Sequence, residues 1–306
     1  MSSDIQVPSD FFLSLEERKK SIREVILSTS IIAVAHIIVL LICKTLYGSK
    51  RTNKQISKNA YQIVNFMVNL SFGLFAMFIC FYNPYKNNVL FASIFDKSPV
   101  SNHIFGYEQY AIFGALQVGY NLWSLPVGIL AVNESLPMIA HHISVIFVCS
   151  LSCISHYGYR LHAPFLLGMY EVSSVPLAII NYIKDHKDEE WTKNRTVQQW
   201  NVKCKALFGV LFLLIRIIFG TPHCYQTIRA AYTSLNIMGD SLENHTWSDN
   251  SLICSFLRVW IFFSLLGQLV LYILQIHWAR LIVYGLINIA KGGKKGSPDQ
   301  ERAKDE

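Results

Sequence analysis

The chain has 306 residues, 52% of them apolar and only 15% charged, whereas a soluble domain carries about a quarter charged residues. Its charge is clustered and leaves long windows nearly free of it, which excludes an ordinary soluble globular enzyme. The formal charge of +7 flanks apolar stretches and does not form a nucleic-acid footprint.

A stretch of about 20 apolar residues spans the hydrocarbon core, and backbone in lipid must bond within its own segment. The sequence therefore predicts an all-α polytopic membrane protein with about seven transmembrane helices. In chain order the spans are Glu24 to Tyr47, Ala60 to Tyr82, Glu108 to Val132, Pro137 to Ile154, His162 to Ile183, Ala206 to Ala230 and Leu252 to Ile289. The first lacks a small-residue cleavage site and reads as a retained anchor. The last is long enough to tilt or to continue along the membrane surface.

Lysine and arginine concentrate around Lys50 to Lys58, Lys184 to Lys205 and Lys291 to Lys304. With seven spans these segments share one side, which the positive-inside rule makes cytosolic. The N-terminus is then lumenal and the C-terminus cytosolic, although Arg18, Lys19, Lys20 and Arg23 also flank the first span. The loop Ser234 to Ser251 has no lysine or arginine and carries the sequon Asn244-His245-Thr246, which suits a lumenal loop. The sequons at Asn69, Asn133 and Asn194 fall in a span or in cytosolic loops and read as chance matches. Met1 to Leu15, Asp185 to Lys205 and Gly292 to Glu306 read as mobile.

The 7 cysteines lie in or beside spans and form no secreted-type disulfide framework. Cys149, Cys153 and His156 have only a loosely metal-like spacing, and no metal site is expected. The expected cofactor set is likewise empty.

Ionisable residues within spans are costly and are functional candidates by default. The sharpest is the pair His141-His142. His141 shares a helical face with Ser144, Ser152 and Ser155, while Ile143, Phe147, Leu151 and Ile154 form the opposite, lipid-suited face. An interior imidazole can act as general base, or as nucleophile through an acyl-imidazole. It can equally be an interhelical hydrogen-bonding group. Glu171 shares a small-residue face with Pro164, Gly168, Ser174 and Ala178, which permits close helix contact. It can orient an imidazole, hold a proton, or pair with Arg216 near mid-span. Arg216 can alternatively meet a carboxylate, phosphate or thioester carbonyl. Trp260, Trp278 and Tyr284 read as interfacial aromatics.

The run Met138-Ile139-Ala140-His141-His142-Ile143-Ser144 and the segment His162 to Ser174 resemble the centre of a TLC domain, the family of ceramide synthases and TRAM proteins. Gly119-Tyr120-Asn121-Leu122-Trp123-Ser124 resembles the family's Gly-Tyr segment, and Leu274-Gln275-Ile276-His277-Trp278 its ending. The resemblance implies an N-terminal part at 1–58, a six-helix TLC-type bundle at 59–290 and a polar cytosolic tail at 291–306. Ceramide synthases carry a second carboxylate where this chain has Ser174, and family members often have Asp where it has Ser124. These departures imply a branch other than the ceramide synthases.

The implied role is in lipid homeostasis, in the endoplasmic reticulum or another endomembrane. One form is transfer of a long-chain acyl group to a lipid amine or hydroxyl, with His141, His142 and Glu171 catalytic. Ser144, Ser174, Arg216 and Asn121 would bind substrate, with acyl-CoA as possible co-substrate. The other form is a lipid-binding sensor or regulator using the same cavity. Expected partners are long-chain membrane lipids and a second copy of the chain, with no nucleic acid. A seven-helix receptor is disfavoured, because the Asp/Glu-Arg-Tyr and Asn-Pro-x-x-Tyr signatures are missing at the relevant helix ends.

Glycosidase treatment is expected to shift the wild-type chain on a gel and leave Asn244→Gln unmoved. Protection of a C-terminal tag from protease in sealed microsomes would reverse the expected orientation.

Overall fold

The computed structural model describes residues 14–48, 51–82, 110–155, 159–243 and 251–290. The Asn244 loop, His156 and both chain ends lie outside these residues, as do all the basic groups from Lys291 on. Every element is helical. The helices are α1 (Leu15–Tyr47), α2 (Asn53–Tyr82), α3 (Ala111–Val127), α4 (Leu136–Ile154), α5 (Tyr170–Asp185), α6 (Glu190–Lys193), α7 (Arg195–Leu211), α8 (Gly220–Glu243) and α9 (Ser251–Ala290). Wider π-helical turns extend three of them: Gly128–Val132 after α3, Pro164–Met169 before α5, and Phe212–Phe219 between α7 and α8.

Six helical segments are long and apolar enough to cross a membrane: Leu15–Tyr47, Asn53–Phe81, Ala111–Val132, Leu136–Cys153, Arg160–Asp185 and Ser255–Asn288. The seventh expected span, Ala206 to Ala230, lies within a continuous helical run over 195–243 that carries Arg216 in its apolar stretch. The chain is thus an all-α integral membrane protein.

Local chemistry sets the helix ends. Ser14 and Glu17 form a reciprocal capping box, so α1 starts well before Glu24 because two orphan backbone N–H groups are satisfied there. Pro126 cannot donate to the α3 backbone, and the wide turn follows at Gly128. Asn133 then adopts a left-handed conformation, φ 55°, which suits asparagine better than most side chains. The chain reverses there, and α4 begins with Pro137 in its first turn.

The helices close into a ring. α2 packs on α5, α5 on α7, α8 on α9, α9 on α4, and α4 on α3; the turn after α3 completes the circuit against α2. α1 lies outside this ring, across the seam of α2 and α3. Its contact depends on small groups. A Cβ on Gly119 would sit 1.9 Å from Ser28 Oγ, and Thr29 Oγ1 donates to the Gly119 carbonyl at 3.2 Å. Ile32, Tyr61, Val64, Val68, Tyr120 and Trp123 fill the rest of the seam. The other side of α1 exposes Ile22, Ile26, Ile31, Val34, Ile38 and Leu41, as a lipid-facing surface should.

Two expectations change. The segment Asp185 to Lys205 is structured rather than loose. Thr192 is buried and bonds the carbonyls of His186, Lys187 and Glu189, and Arg195 begins α7. Arg51, between α1 and α2, clamps this segment through Glu189 at 2.6 Å and His186 at 2.7 Å. The expected lipid face of α4 is also only partly so. Ile143 is exposed, but Leu151 is fully buried. Phe147 packs on Trp260 and Phe263 of α9, at 5.6 and 5.9 Å between rings. A second helix covers the stripe that periodicity alone assigned to lipid.

Gly119→Val is expected to push α1 off the seam and lower stability by about 1–3 kcal/mol, the usual cost of overpacking. Thermal unfolding in detergent measures it; an unchanged midpoint would mean that α1 is not held at Gly119.

Candidate functional site

The ring surrounds a cavity of about 90 Å³, bounded by α3, α4, the 160–171 segment, the Arg216 turn, α8 and α9. Its wall is mostly apolar, with Val145, Val148, Leu166, Leu167 and Leu271 among its members. Gln117, His141, Glu171, Arg216, Gln268 and Gln275 bring polar groups to it. An apolar cavity with a few convergent polar groups is the usual form of a ligand site.

The adjacent histidines face different surroundings, since successive residues on a helix diverge by about 100°. His141 lines the cavity. Its ring meets Trp278 edge-on at 5.7 Å, and its Nδ1 is buried with no hydrogen-bond partner among the described residues. His142 does not line the cavity. Its Nδ1 lies 2.6 Å from Asn121 Oδ1, and its Nε2 lies 3.1 Å from Glu134 Oε2. The reversal at Asn133 brings that carboxylate back beside α4.

Two backbone carbonyls set the polarity of this network. Gln117 Nε2 donates to the Leu167 carbonyl at 2.6 Å and to Glu171 Oε1 at 3.2 Å. Gln117 Oε1 is therefore the acceptor that faces Asn121 Nδ2 at 3.2 Å, and Asn121 Nδ2 also donates to the Gln117 carbonyl at 2.7 Å. Asn121 Oδ1 is then an acceptor, so His142 must carry its proton on Nδ1. His142 Nε2 then faces Glu134 Oε2, although the two atoms form no hydrogen bond in this geometry. Tyr61 donates to the other Glu134 oxygen at 2.9 Å and contacts Ser124 at 2.8 Å. The polar chain runs from Ser124 through Tyr61, Glu134, His142, Asn121 and Gln117 to Glu171.

Arg216 is 8% exposed and does not pair with Glu171. Its Nε donates to Ser173 Oγ at 2.8 Å; its Nη2 donates to Ser174 Oγ and to the Tyr170 carbonyl, each at 2.9 Å. The guanidinium lies over the rings of Tyr170 and Phe212, at 5.2 and 5.3 Å. The expected ion pair is replaced by hydrogen bonds because two serines and a carbonyl lie within reach of its fork.

The structure thus brings His141, Glu171 and Arg216 to one cavity, with Ser174 holding Arg216. Asn121 and His142 lie behind the wall, joined to Glu171 through Gln117. Ser144 is buried elsewhere, its backbone against Gly267 of α9. Sequence reasoning did not single out Glu134, Gln117, Tyr61 or Gln268. Glu134 is eight residues before His142 and lies outside α4, just before its N-cap Ser135, so no helical periodicity links them. His162 and His223, both fully buried, approach at 3.0 Å between Nδ1 atoms, and Phe165 stacks on His223 at 4.1 Å.

The polarity of the network is measurable. Nitrogen NMR of ¹⁵N-histidine-labelled protein is expected to show a protonated Nδ1 on His142, assigned by its loss in His142→Gln. Glu134→Ala should lower stability by about 1–3 kcal/mol, because it removes the carboxylate that accepts from the buried Tyr61 hydroxyl. An unprotonated Nδ1 would overturn the assignment.

Residues 57–284 match the family model of the TLC domain. Curated proteins and solved structures give no match to this chain. The matched region begins after α1 and takes in the ring, the cavity wall and the whole polar chain from Tyr61 to Glu171, so the protein belongs to the TLC-domain family.

Proposed function

We propose that this protein acts on long-chain acyl lipids within an endomembrane, transferring an acyl group to a lipid hydroxyl or amine. Membership of the TLC-domain family supports a membrane, lipid-related role. The observation that carries the finer reading is His141: an unpaired buried imidazole nitrogen on an otherwise mostly apolar cavity wall.

In this reading the acyl chain occupies the apolar wall and its activated carbonyl approaches His141. With acyl-CoA as donor, an imidazole nitrogen forms a bond to the carbonyl carbon and the thiolate leaves. The acceptor oxygen or nitrogen then attacks the acyl-imidazole, its proton goes to a base, and the imidazole is released. Arg216, on the same wall, presents positive charge to the carbonyl oxygen, and Glu171 is the carboxylate available to the proton. His142, bonded through Nδ1 to Asn121 behind the wall, is a positioning residue. The reading places the protein in the endoplasmic reticulum or a related membrane, with the N-terminus lumenal.

One observation favours a second reading, lipid binding or sensing without turnover. Glu171 Oε1 is hydrogen-bonded to Gln117 rather than to an imidazole, so His141 has no carboxylate partner of the kind that activates a base.

The two histidines separate the readings. In cells, with lipids normalised to protein amount, His141→Ala is expected to abolish product, because alanine has no nitrogen to carry the acyl group, and to leave thermal stability near wild type. His142→Ala should instead lower stability by about 0.6–2 kcal/mol per lost interhelical bond. A lipidome unchanged in a stable His141→Ala protein would end the catalytic reading. Lipid retained on the purified protein would then support binding.

A further inference from the structure

On α9, Gln268, Leu271, Tyr272 and Gln275 follow the i, i+3, i+4, i+7 spacing of one helical face, and all four line the cavity. Gln275 is 3% exposed. Its Oε1 and both amide atoms of Gln268 are buried without hydrogen-bond partners among the described residues. On the neighbouring α4, His141 Nδ1, which lines the same cavity, has the same status. Buried polar atoms are nearly always paired, and each one left over calls for an explanation. Here they converge on one mostly apolar cavity.

The charges on the wall narrow the ligand class. Arg216 and Glu171 oppose each other in sign. Arg216 is already bonded to Ser173, Ser174 and the Tyr170 carbonyl, and Glu171 to Gln117. A charged head group would unbalance this wall in a low-dielectric setting. The orphaned amide oxygens of Gln268 and Gln275 are acceptors and need a donor; Gln268 Nε2 is a donor and needs an acceptor. A hydroxyl or a neutral amide supplies both, whereas an ester or thioester carbonyl only accepts.

We propose that Gln268 and Gln275 form a head-group subsite selecting an uncharged long-chain lipid that bears a hydroxyl or an amide N–H. This rests on the cavity being a lipid site, and it favours a hydroxyl over a charged amine as the acceptor in acyl transfer. Ligand and wall then exchange a donor and an acceptor, and the apolar stretch at Val145, Val148 and Leu271 takes the chain.

The test uses the purified full chain and three probes with one tail: oleyl alcohol, methyl oleate and oleylamine. Thermal stabilisation is titrated for each, and native mass spectrometry confirms binding. Oleyl alcohol is expected to act at about tenfold lower concentration than methyl oleate, the factor a site's unmet hydrogen bonds produce. Oleylamine, charged at neutral pH, should be the weaker binder. The double variant Gln268→Leu/Gln275→Leu should lose the preference for the alcohol while methyl oleate binds as before. If that variant does not fold, Gln275→Met alone should reduce the same preference. Equal response to alcohol and ester in the wild type, a preference intact in the folded variant, or tightest binding of oleylamine would overturn the subsite and leave the lipid site standing. Failure of all three probes to bind would overturn the lipid site itself.

Discussion

The arrangement of the bundle depends on a hydrogen-bonded run that crosses it from the corner after α3 to the cavity wall. Unpaired polar groups in hydrocarbon cost several kcal/mol each, so in a membrane such a run is satisfied as a unit or it destabilises the fold. Tyr61 on α2, Asn121 and Gln117 on α3, His142 on α4 and Glu171 on α5 each bond to a neighbour on another element or to a carbonyl. Four helices are thereby held in one register. The Leu167 and Gln117 carbonyls terminate the run with groups that can only accept, so its direction is set by backbone and not by a choice of amide orientation.

That fixed direction divides the work between two adjacent histidines. His142 is held through Nδ1 by Asn121 and cannot turn towards a ligand without breaking the run. His141, a step of about 100° round the same helix, meets the cavity with Trp278 behind it. A locked neighbour limits how far α4 can rotate, and it keeps the free imidazole aimed inward. Pre-organisation of this kind is what either acyl transfer or selective binding requires.

α1 stands apart from this machinery. It precedes the matched family region and touches the ring at the α2–α3 seam, where Gly119 admits Ser28 and Thr29. Beyond it, Arg51 is bonded to Glu189 and His186. Because α3 carries both Gly119 and the Asn121–Gln117 step of the polar run, the seam and the site share one helix. Packing at the edge therefore steadies the residues behind the cavity.

The apolar stretches by themselves determined a helical membrane protein, since backbone in lipid has no other way to satisfy itself. The paired histidines and the segment up to Ser174 were equally legible as the centre of a TLC domain, and Glu171 and Arg216 stood out as costly residues in apolar runs. Those signals are local: each is visible within one helix. What only the tertiary structure decided is which groups meet. Glu134, just after the left-handed turn at Asn133, comes to lie beside His142, and Arg216 finds Ser173 and Ser174 in place of Glu171. Phe147 is covered by α9, and Gln268 joins His141 in lining one cavity. Periodicity tells which face of a helix is apolar, but not which neighbour covers it, because that is set by ring closure among helices far apart in the chain.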